Sequence, residues 1–319
     1  MLTMSAIDLR RLTASVLAVP PLARNADLTL NRAANRQLIR HMERGVSTLL
    51  YGGNANLYHA GLAEFPALLD MLTEDSAPDT LVIPSVGPDY GKMMDQAEIL
   101  RSRSFPTVMV LPAQFPTTVD GAADGIRRFA DRLGKPVILY IKRDDFLTPT
   151  SVAKLIESGA ACLVKYGTVK ANPADDAFLT ALVAEVDRSR IISGIGERPA
   201  IVHLQQFGLA GFTSGAVCIA PCGSQAILDA LRRGDVATAE RLRSAYMALE
   251  DLRDAHNPIR VLHEAVALSG IADMGPMLPL LSNLPAAHHA AVGAASRALL
   301  AFDDGLVANA ETGRRVRAG

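Results

Sequence analysis

The chain has 319 residues, of which 49% are of apolar types and 20% are charged. This composition is too apolar for a disordered chain, and the length suits two ordinary domains or one barrel-sized domain with additions. The net charge of -1 gives no electrostatic reason to expect nucleic acid or an anionic membrane as a partner. No apolar run approaches the roughly 20 residues that span a bilayer, so we expect no membrane segment.

The cysteines and the N-terminal region both bear on cellular location. The cysteines are odd in number and two of them lie in apolar contexts, which is typical of reduced thiols; they are Cys162, Cys218 and Cys222. Arg10 and Arg11 precede a short apolar run that superficially resembles an export signal, but two prolines interrupt that run. We interpret residues 15–19 as a first buried strand and expect a cytoplasmic protein.

Short apolar runs alternate with amphipathic helical segments along most of the chain. Eight runs are found, at residues 15–19, 48–51, 80–84, 107–111, 137–141, 161–164, 190–193 and 211–214. Continuous apolar strands linked by helices indicate parallel pairing, with both faces buried. Eight such units close a barrel, whereas no G-x-G-x-x-G follows the first run to support an open doubly wound sheet. We predict an α/β fold, a (β/α)8 TIM barrel over residues 1–235.

From residue 236 onward the strand pattern stops. Three helical stretches follow, at residues 236–254, 259–268 and 288–306. No flexible Gly/Ser linker separates them from the barrel, so we predict a helical extension over residues 236–319 that packs on the barrel.

The stretch ACLVKYG places Lys165 at the end of an apolar run. Active residues of such barrels lie at the C-terminal ends of the strands, where Lys165 falls. Either the aliphatic stem of Lys165 carries its ammonium out to water, or the site requires an amine whose pKa is lowered. A neutral amine attacks a ketone, and the protonated imine that results is an electron sink for breaking or forming an adjacent bond.

Tyr140 ends the preceding strand, so its hydroxyl is expected near the Lys165 amine. A phenol at that place can transfer protons to and from the carbinolamine oxygen. The alternative is a core tyrosine with its hydroxyl at the rim. Lys142 is a competing amine, but it lies in a polar run and is interpreted as a solvated loop residue.

Several ordered motifs together resemble the dihydrodipicolinate synthase / N-acetylneuraminate lyase family of class I aldolases. They are VLAVPPL, GVSTLLYGG, VILYI, GAACLVKYG, SGIGE, GLAGFTSGAVCIAP, NPIRVLHEAVALSG and MGPMLPLLSNL. The resemblance extends from about Ser15 to Leu284 and includes the tyrosine and the Schiff-base lysine of the family.

The resemblance implies a barrel with added C-terminal helices that assembles as a homo-oligomer, a tetramer or a dimer. Lys165 would form an imine with a 2-oxo acid, typically pyruvate, and Tyr140 would relay protons. Gly53 and Asn54 would hold the substrate carboxylate, and Thr213 would line the pocket of the lysine. No cofactor and no metal are implied.

Three departures separate the chain from the synthases of this family. The Thr-Thr-Gly-Glu run after strand two is replaced by residues 53–56, GNAN, so a hydroxyl link of the relay is missing. Tyrosines after strand four are replaced by Ala113 and Gln114. The arginine that binds the second substrate's carboxylate would fall near Asp145, which would repel that group. We therefore expect another substrate than that of true dihydrodipicolinate synthase.

Three functions remain open from the sequence. The first is a lyase or aldolase that acts on pyruvate or a related 2-oxo acid through a Lys165 imine. The second is a dehydratase of deoxy sugar acids that uses the same lysine. The third is a non-catalytic barrel that binds a ligand without an imine.

Overall fold

A computed structural model of the chain describes residues 7–318, with side chains for residues 7–309. Within this range eight parallel strands close into one barrel, each pairing with its neighbours in chain order and β1 pairing with β8. The strands are β1 (Leu17–Ala18), β2 (Thr48–Tyr51), β3 (Leu81–Val86), β4 (Met109–Val110), β5 (Val137–Ile141), β6 (Ala161–Tyr166), β7 (Ile191–Ser193) and β8 (Gly211–Ser214). The predicted (β/α)8 TIM barrel is therefore confirmed.

Helices follow the strands and continue beyond the barrel. They are α1 (Leu9–Leu12), α2 (Arg32–Met42), α3 (Phe65–Asp75), α4 (Tyr90–Arg101), α5 (Val119–Leu133), α6 (Pro149–Glu157), α7 (Ala177–Glu185), α8 (Glu197–Gln205), α9 (Pro221–Arg232), α10 (Val236–Ser244), α11 (Met247–His256), α12 (Pro258–Leu268) and α13 (His289–Ala318). Short 3-10 helices occupy Leu62–Glu64, Arg188–Arg190, Ala216–Cys218 and Ala286–His288. None of the helices in the described range is long and apolar enough to cross a membrane.

The strand boundaries differ from the predicted runs mainly at β1 and β4, which are only two residues long, and at β3 and β6, which end two residues later. β6 continues past the apolar run and includes Lys165 and Tyr166. After a shift of register between Val137 and Ile138, the longer β6 pairs with β5 so that Tyr140 lies beside Lys165. Alternate residues of a strand point to opposite faces, so Tyr166 faces the surrounding helices while Lys165 faces the barrel interior.

The C-terminal extension contains one more helix break than the sequence predicts. The stretch 236–254 was expected to be one helix, but it divides into α10 and α11 around Tyr246. Tyr246 is fully buried and its hydroxyl donates to the carbonyl of Ala220 at 2.7 Å, which anchors the chain against the barrel at the break. The domain boundary at residue 235 stays a prediction.

Candidate active site

A cavity of about 150 Å³ opens at the C-terminal ends of the strands. Its lining includes all five residues that the sequence analysis singled out: Gly53, Asn54, Tyr140, Lys165 and Thr213. At about 30 Å³ per water molecule, the volume corresponds to about five waters, which suits a small organic acid. The residues come from four strand ends or the loops after them, as in catalytic barrels generally.

Lys165 lies inside the protein, and the residue is only 3% exposed. The interpretation in which its stem carries the ammonium to water is therefore wrong. Burial, and then the positive charges of Lys142 and Arg253, lower the pKa of Lys165 to about 7. At neutral pH a large share of the amine is thus unprotonated and able to act as a nucleophile.

Tyr140 packs directly against the amine. The Lys165 Nζ lies 4.3 Å from the centre of the Tyr140 ring, a distance at which the face of the ring attracts a cation. Burial raises the pKa of Tyr140 to about 12, so its hydroxyl keeps its proton at neutral pH. A Cβ at position 167 would lie 2.7 Å from the Tyr140 ring, so the ring can occupy this place only because residue 167 is glycine.

The loop after β2 contributes Gly53 and Asn54 to the lining of the cavity. Among the residues that the structure describes, no protein acceptor takes a hydrogen bond from the backbone amide of Gly53 or Asn54. The Asn54 side chain instead donates from Nδ2 to the Val19 carbonyl at 2.7 Å, which fixes the loop to the end of β1. Thr213 is buried on β8, which pairs with β1, and also lines the cavity.

Several residues of the lining were not predicted. Lys142, interpreted above as a solvated loop residue, is exposed but lines the mouth of the cavity. The C-terminal extension contributes Glu250, Arg253 and Asp254, all from α11. In the sequence, a glutamate and an arginine three positions apart on a polar helix look like an ordinary surface ion pair. No sequence pattern indicated that α11 covers the barrel mouth.

A second phenol lies close to the site. Burial, and then the nearby Tyr140, raise the pKa of Tyr58, which stands in the loop after β2. A Cβ at Gly53 would lie 3.8 Å from the Tyr58 ring, so this tyrosine packs beside the predicted carboxylate-binding loop. The loop after β4 has no tyrosine, but Tyr58 provides a phenol in the loop after β2, beside the site.

The lowered pKa of Lys165 sets the expected pH dependence of any imine chemistry. Lysine attacks only as the neutral amine, so the rate at low substrate concentration should rise as pH increases through about 7. Tyr140, with its pKa near 12, stays protonated through this range. The rate of pyruvate methyl-proton exchange across the neutral range measures the profile. A rate that rises only near the ordinary pKa of lysine, about 10.4, would contradict the lowering of the Lys165 pKa by burial.

The fold is a (β/α)8 barrel with a C-terminal helical extension, the architecture of the dihydrodipicolinate synthase family. The dihydrodipicolinate synthase of Bacillus clausii is similar at a TM-score of 0.79 and 20% identity, covering 90% of this chain and 97% of that chain. The enzyme of Oceanobacillus iheyensis has a TM-score of 0.79 and 18% identity, with 91% and 97% covered.

A third similar structure was solved with a ligand. YagE is a prophage protein of E. coli K12 that belongs to the dihydrodipicolinic acid synthase family, and its structure is a complex with pyruvate. It has a TM-score of 0.77 and 20% identity, covering 89% of this chain and 98% of that chain. At these identities the likeness establishes the fold. No protein-family model matches the sequence, and no curated protein does.

Proposed function

We propose that the chain is a divergent member of the dihydrodipicolinate synthase family, a Schiff-base lyase or aldolase that acts on pyruvate or a related 2-oxo acid. The observation that carries this proposal is Lys165, a residue that is 3% exposed and whose amine lies 4.3 Å from the Tyr140 ring centre at the barrel mouth. Burial of an amine that has no carboxylate partner lowers its pKa, which is the property that imine chemistry requires.

The chemistry follows from these two side chains. The neutral Lys165 nitrogen attacks the ketone carbon, and the proton that the nitrogen then loses passes to the carbonyl oxygen to give a carbinolamine. Tyr140 donates a proton to that hydroxyl as it leaves as water, and an imine forms. The protonated imine then accepts the electron pair of a neighbouring bond, which gives an enamine. From a C–H bond the proton passes to the Tyr140 phenolate; from a C–C bond the second fragment leaves as a carbonyl compound whose hydroxyl proton passes to that phenolate. Reversing the same steps releases the 2-oxo acid and returns the proton to Tyr140.

The substrate partner differs, in this proposal, from that of the lysine-biosynthetic synthases. By the resemblance, the synthases' carboxylate-binding arginine would fall near Asp145, which is exposed and forms an ion pair with Arg143 at 3.2 Å. Neither residue lines the cavity. The pyruvate complex of YagE supports pyruvate as the 2-oxo acid, while the changed loops support a different second substrate.

Exchange of the pyruvate methyl protons tests this function without knowledge of the second substrate. Pyruvate deuterated at its methyl group loses deuterium to ordinary water whenever an imine and its enamine interconvert. We expect the protein to accelerate this loss over the spontaneous rate, with 2-oxo sugar acids screened next for cleavage or loss of water. Exchange at the spontaneous rate for pyruvate and the whole panel would favour a non-catalytic barrel.

We also propose that the protein is a homo-oligomer. An apolar groove of about 590 Å³ lies beside the loop after β4, and in this loop Phe115 is 91% exposed. Exposed aromatic surface of this kind is typical of an interface, and in the family this loop reaches a neighbouring subunit. A second copy of this chain is therefore the proposed occupant.

Phe115→Asp should convert the oligomer into a smaller species. A carboxylate at this position would have to be desolvated in an apolar interface, which opposes association. Light scattering at micromolar concentration gives the mass of both proteins. A wild-type protein that is monomeric under these conditions would contradict the proposed assembly.

A further inference from the structure

We propose that Arg253, from helix α11 of the C-terminal extension, binds the carboxylate of the 2-oxo acid and thereby selects anionic over neutral ketones. This inference rests on the proposed function, because it assigns a role within the same cavity. It adds a specificity-determining residue outside the barrel strands and their loops.

Arg253 is buried with an unused pair of hydrogen-bond donors. Its side chain is 9% exposed; Nη1 donates to Glu250 Oε1 at 2.6 Å and Nε to the Pro258 carbonyl at 3.3 Å. Within residues 7–309, Nη2 has no protein acceptor. Nη2 is not among the fully buried unpaired atoms of the described residues, so its N–H groups are open to the cavity that Arg253 lines. A ligand in the cavity that Arg253 lines would supply the missing acceptor.

Nη2 of Arg253 lies near Asn54, in the loop after β2. A Cβ added to Gly215, at the end of β8, would lie 2.8 Å from Arg253 Nη2 and 2.9 Å from Asn54 Nδ2. The two nitrogens therefore border the same small space, beside the unpaired amides of Gly53 and Asn54. A carboxylate has two oxygens in one plane, and it suits a guanidinium on one side and backbone amides on the other.

The charge of the cavity favours an anion. Both acidic side chains of the lining already have cationic partners: Glu250 is bound by Arg253, and Asp254 forms an ion pair with Arg198 at 3.0 Å. Lys142, at the mouth, has no ion-pair partner in the described part of the chain. With both carboxylates paired, Lys142 is, besides Lys165, the basic side chain of the lining without an acidic partner, and its charge attracts a carboxylate and repels a cationic ligand.

Binding of pyruvate and pyruvamide tests the assignment. The two ligands have the same ketone and nearly the same shape, but only pyruvate is charged. Arg253→Met combined with Glu250→Gln removes the ion pair without leaving one buried charge unpaired. The matched control is Arg143→Met with Asp145→Asn, which removes an exposed pair outside the cavity. Calorimetric titration of the full chain gives the affinities, and thermal melting shows that each variant is folded.

We expect the Arg253 double variant to lose about 10- to 100-fold in affinity for pyruvate, the effect of a charge-assisted hydrogen bond, with pyruvamide changing far less. The control pair should bind both ligands as the wild type does. Arg253→Lys serves as a second variant: it keeps the charge but not the planar fork, so pyruvate alone should weaken. An equal loss for both ligands, or no loss, overturns the assignment.

The outcome separates this inference from the proposed function. If pyruvate binding depends on Arg253 but reduction with borohydride leaves no pyruvate adduct on Lys165, the carboxylate site stands and the imine enzyme falls. If the imine forms on Lys165 and the affinity for pyruvate is the same in the Arg253 variant, the imine enzyme stands and the carboxylate site falls. A wild-type protein that binds pyruvamide as tightly as pyruvate, or binds neither, overturns the carboxylate site.

Discussion

We expect Lys165→Met to reduce the loss of deuterium from methyl-deuterated pyruvate to the spontaneous rate, a fall of at least about 10⁴-fold for an essential nucleophile. Methionine keeps an unbranched apolar stem in the buried position and removes only the amine. Because burial of an ammonium costs free energy, the variant should melt at the same temperature as the wild type or higher. Proton NMR follows the exchange, and calorimetry follows unfolding.

The second amine at the cavity mouth provides the control for this substitution. Lys142→Met should retain exchange, because Lys142 is exposed and is not the attacking group. Its charge is one of the causes that lower the pKa of Lys165, so the acidic limb of the profile should move to higher pH. If exchange disappears in Lys142→Met and survives in Lys165→Met, the nucleophile has been assigned to the wrong lysine.

Tyr140→Phe should slow exchange by about 10²- to 10⁴-fold, the usual contribution of a positioned proton-transfer group. The ring remains, so the Lys165 amine keeps its contact at 4.3 Å from the ring centre and the fit against Gly167 is unchanged. Only the hydroxyl that is expected to protonate the departing water is lost. Imine formation should therefore be slow rather than absent, and prolonged incubation with borohydride should still label Lys165.

Tyr166→Phe is the matched comparison for Tyr140→Phe. Tyr166 is on the other face of β6, where its hydroxyl donates to Asp176 Oδ2 at 2.6 Å and its ring stacks on Phe178. Loss of a hydrogen bond to a charged group should reduce stability by about 1.5–3 kcal/mol and leave exchange unaltered. Equal exchange rates for the two variants would mean that the Tyr140 hydroxyl has no role in proton transfer.

The barrel and the central pair of side chains could be predicted because their signals are local and repeated. Each buried strand is a continuous apolar run, and strand ends converge at one mouth in any closed parallel barrel. The position of Lys165 on one strand and Tyr140 on the preceding one therefore sufficed to bring them together. β6 extends beyond its apolar run because an inward polar residue is accommodated at the mouth, where the cavity begins.

The contribution of α11 could not be predicted from the sequence. Arg253 lies on a helix with a polar sequence, and the path that brings this helix over the mouth depends on a break at Tyr246 without proline or glycine. The hydroxyl of Tyr246 is fixed by a carbonyl of residue 220, a contact between distant segments. Local patterns do not encode such contacts, so a buried guanidinium was indistinguishable from a solvated one.

Borohydride trapping directly tests whether Lys165 forms an imine with a 2-oxo acid. The protein is incubated with pyruvate and reduced, and the intact chain and its peptides are weighed by mass spectrometry. We expect one stable pyruvate-derived adduct per chain, located on Lys165, that is absent from Lys165→Met and present in Lys142→Met. An adduct on another residue, or none with pyruvate and a panel of 2-oxo sugar acids, would contradict an imine enzyme at this site.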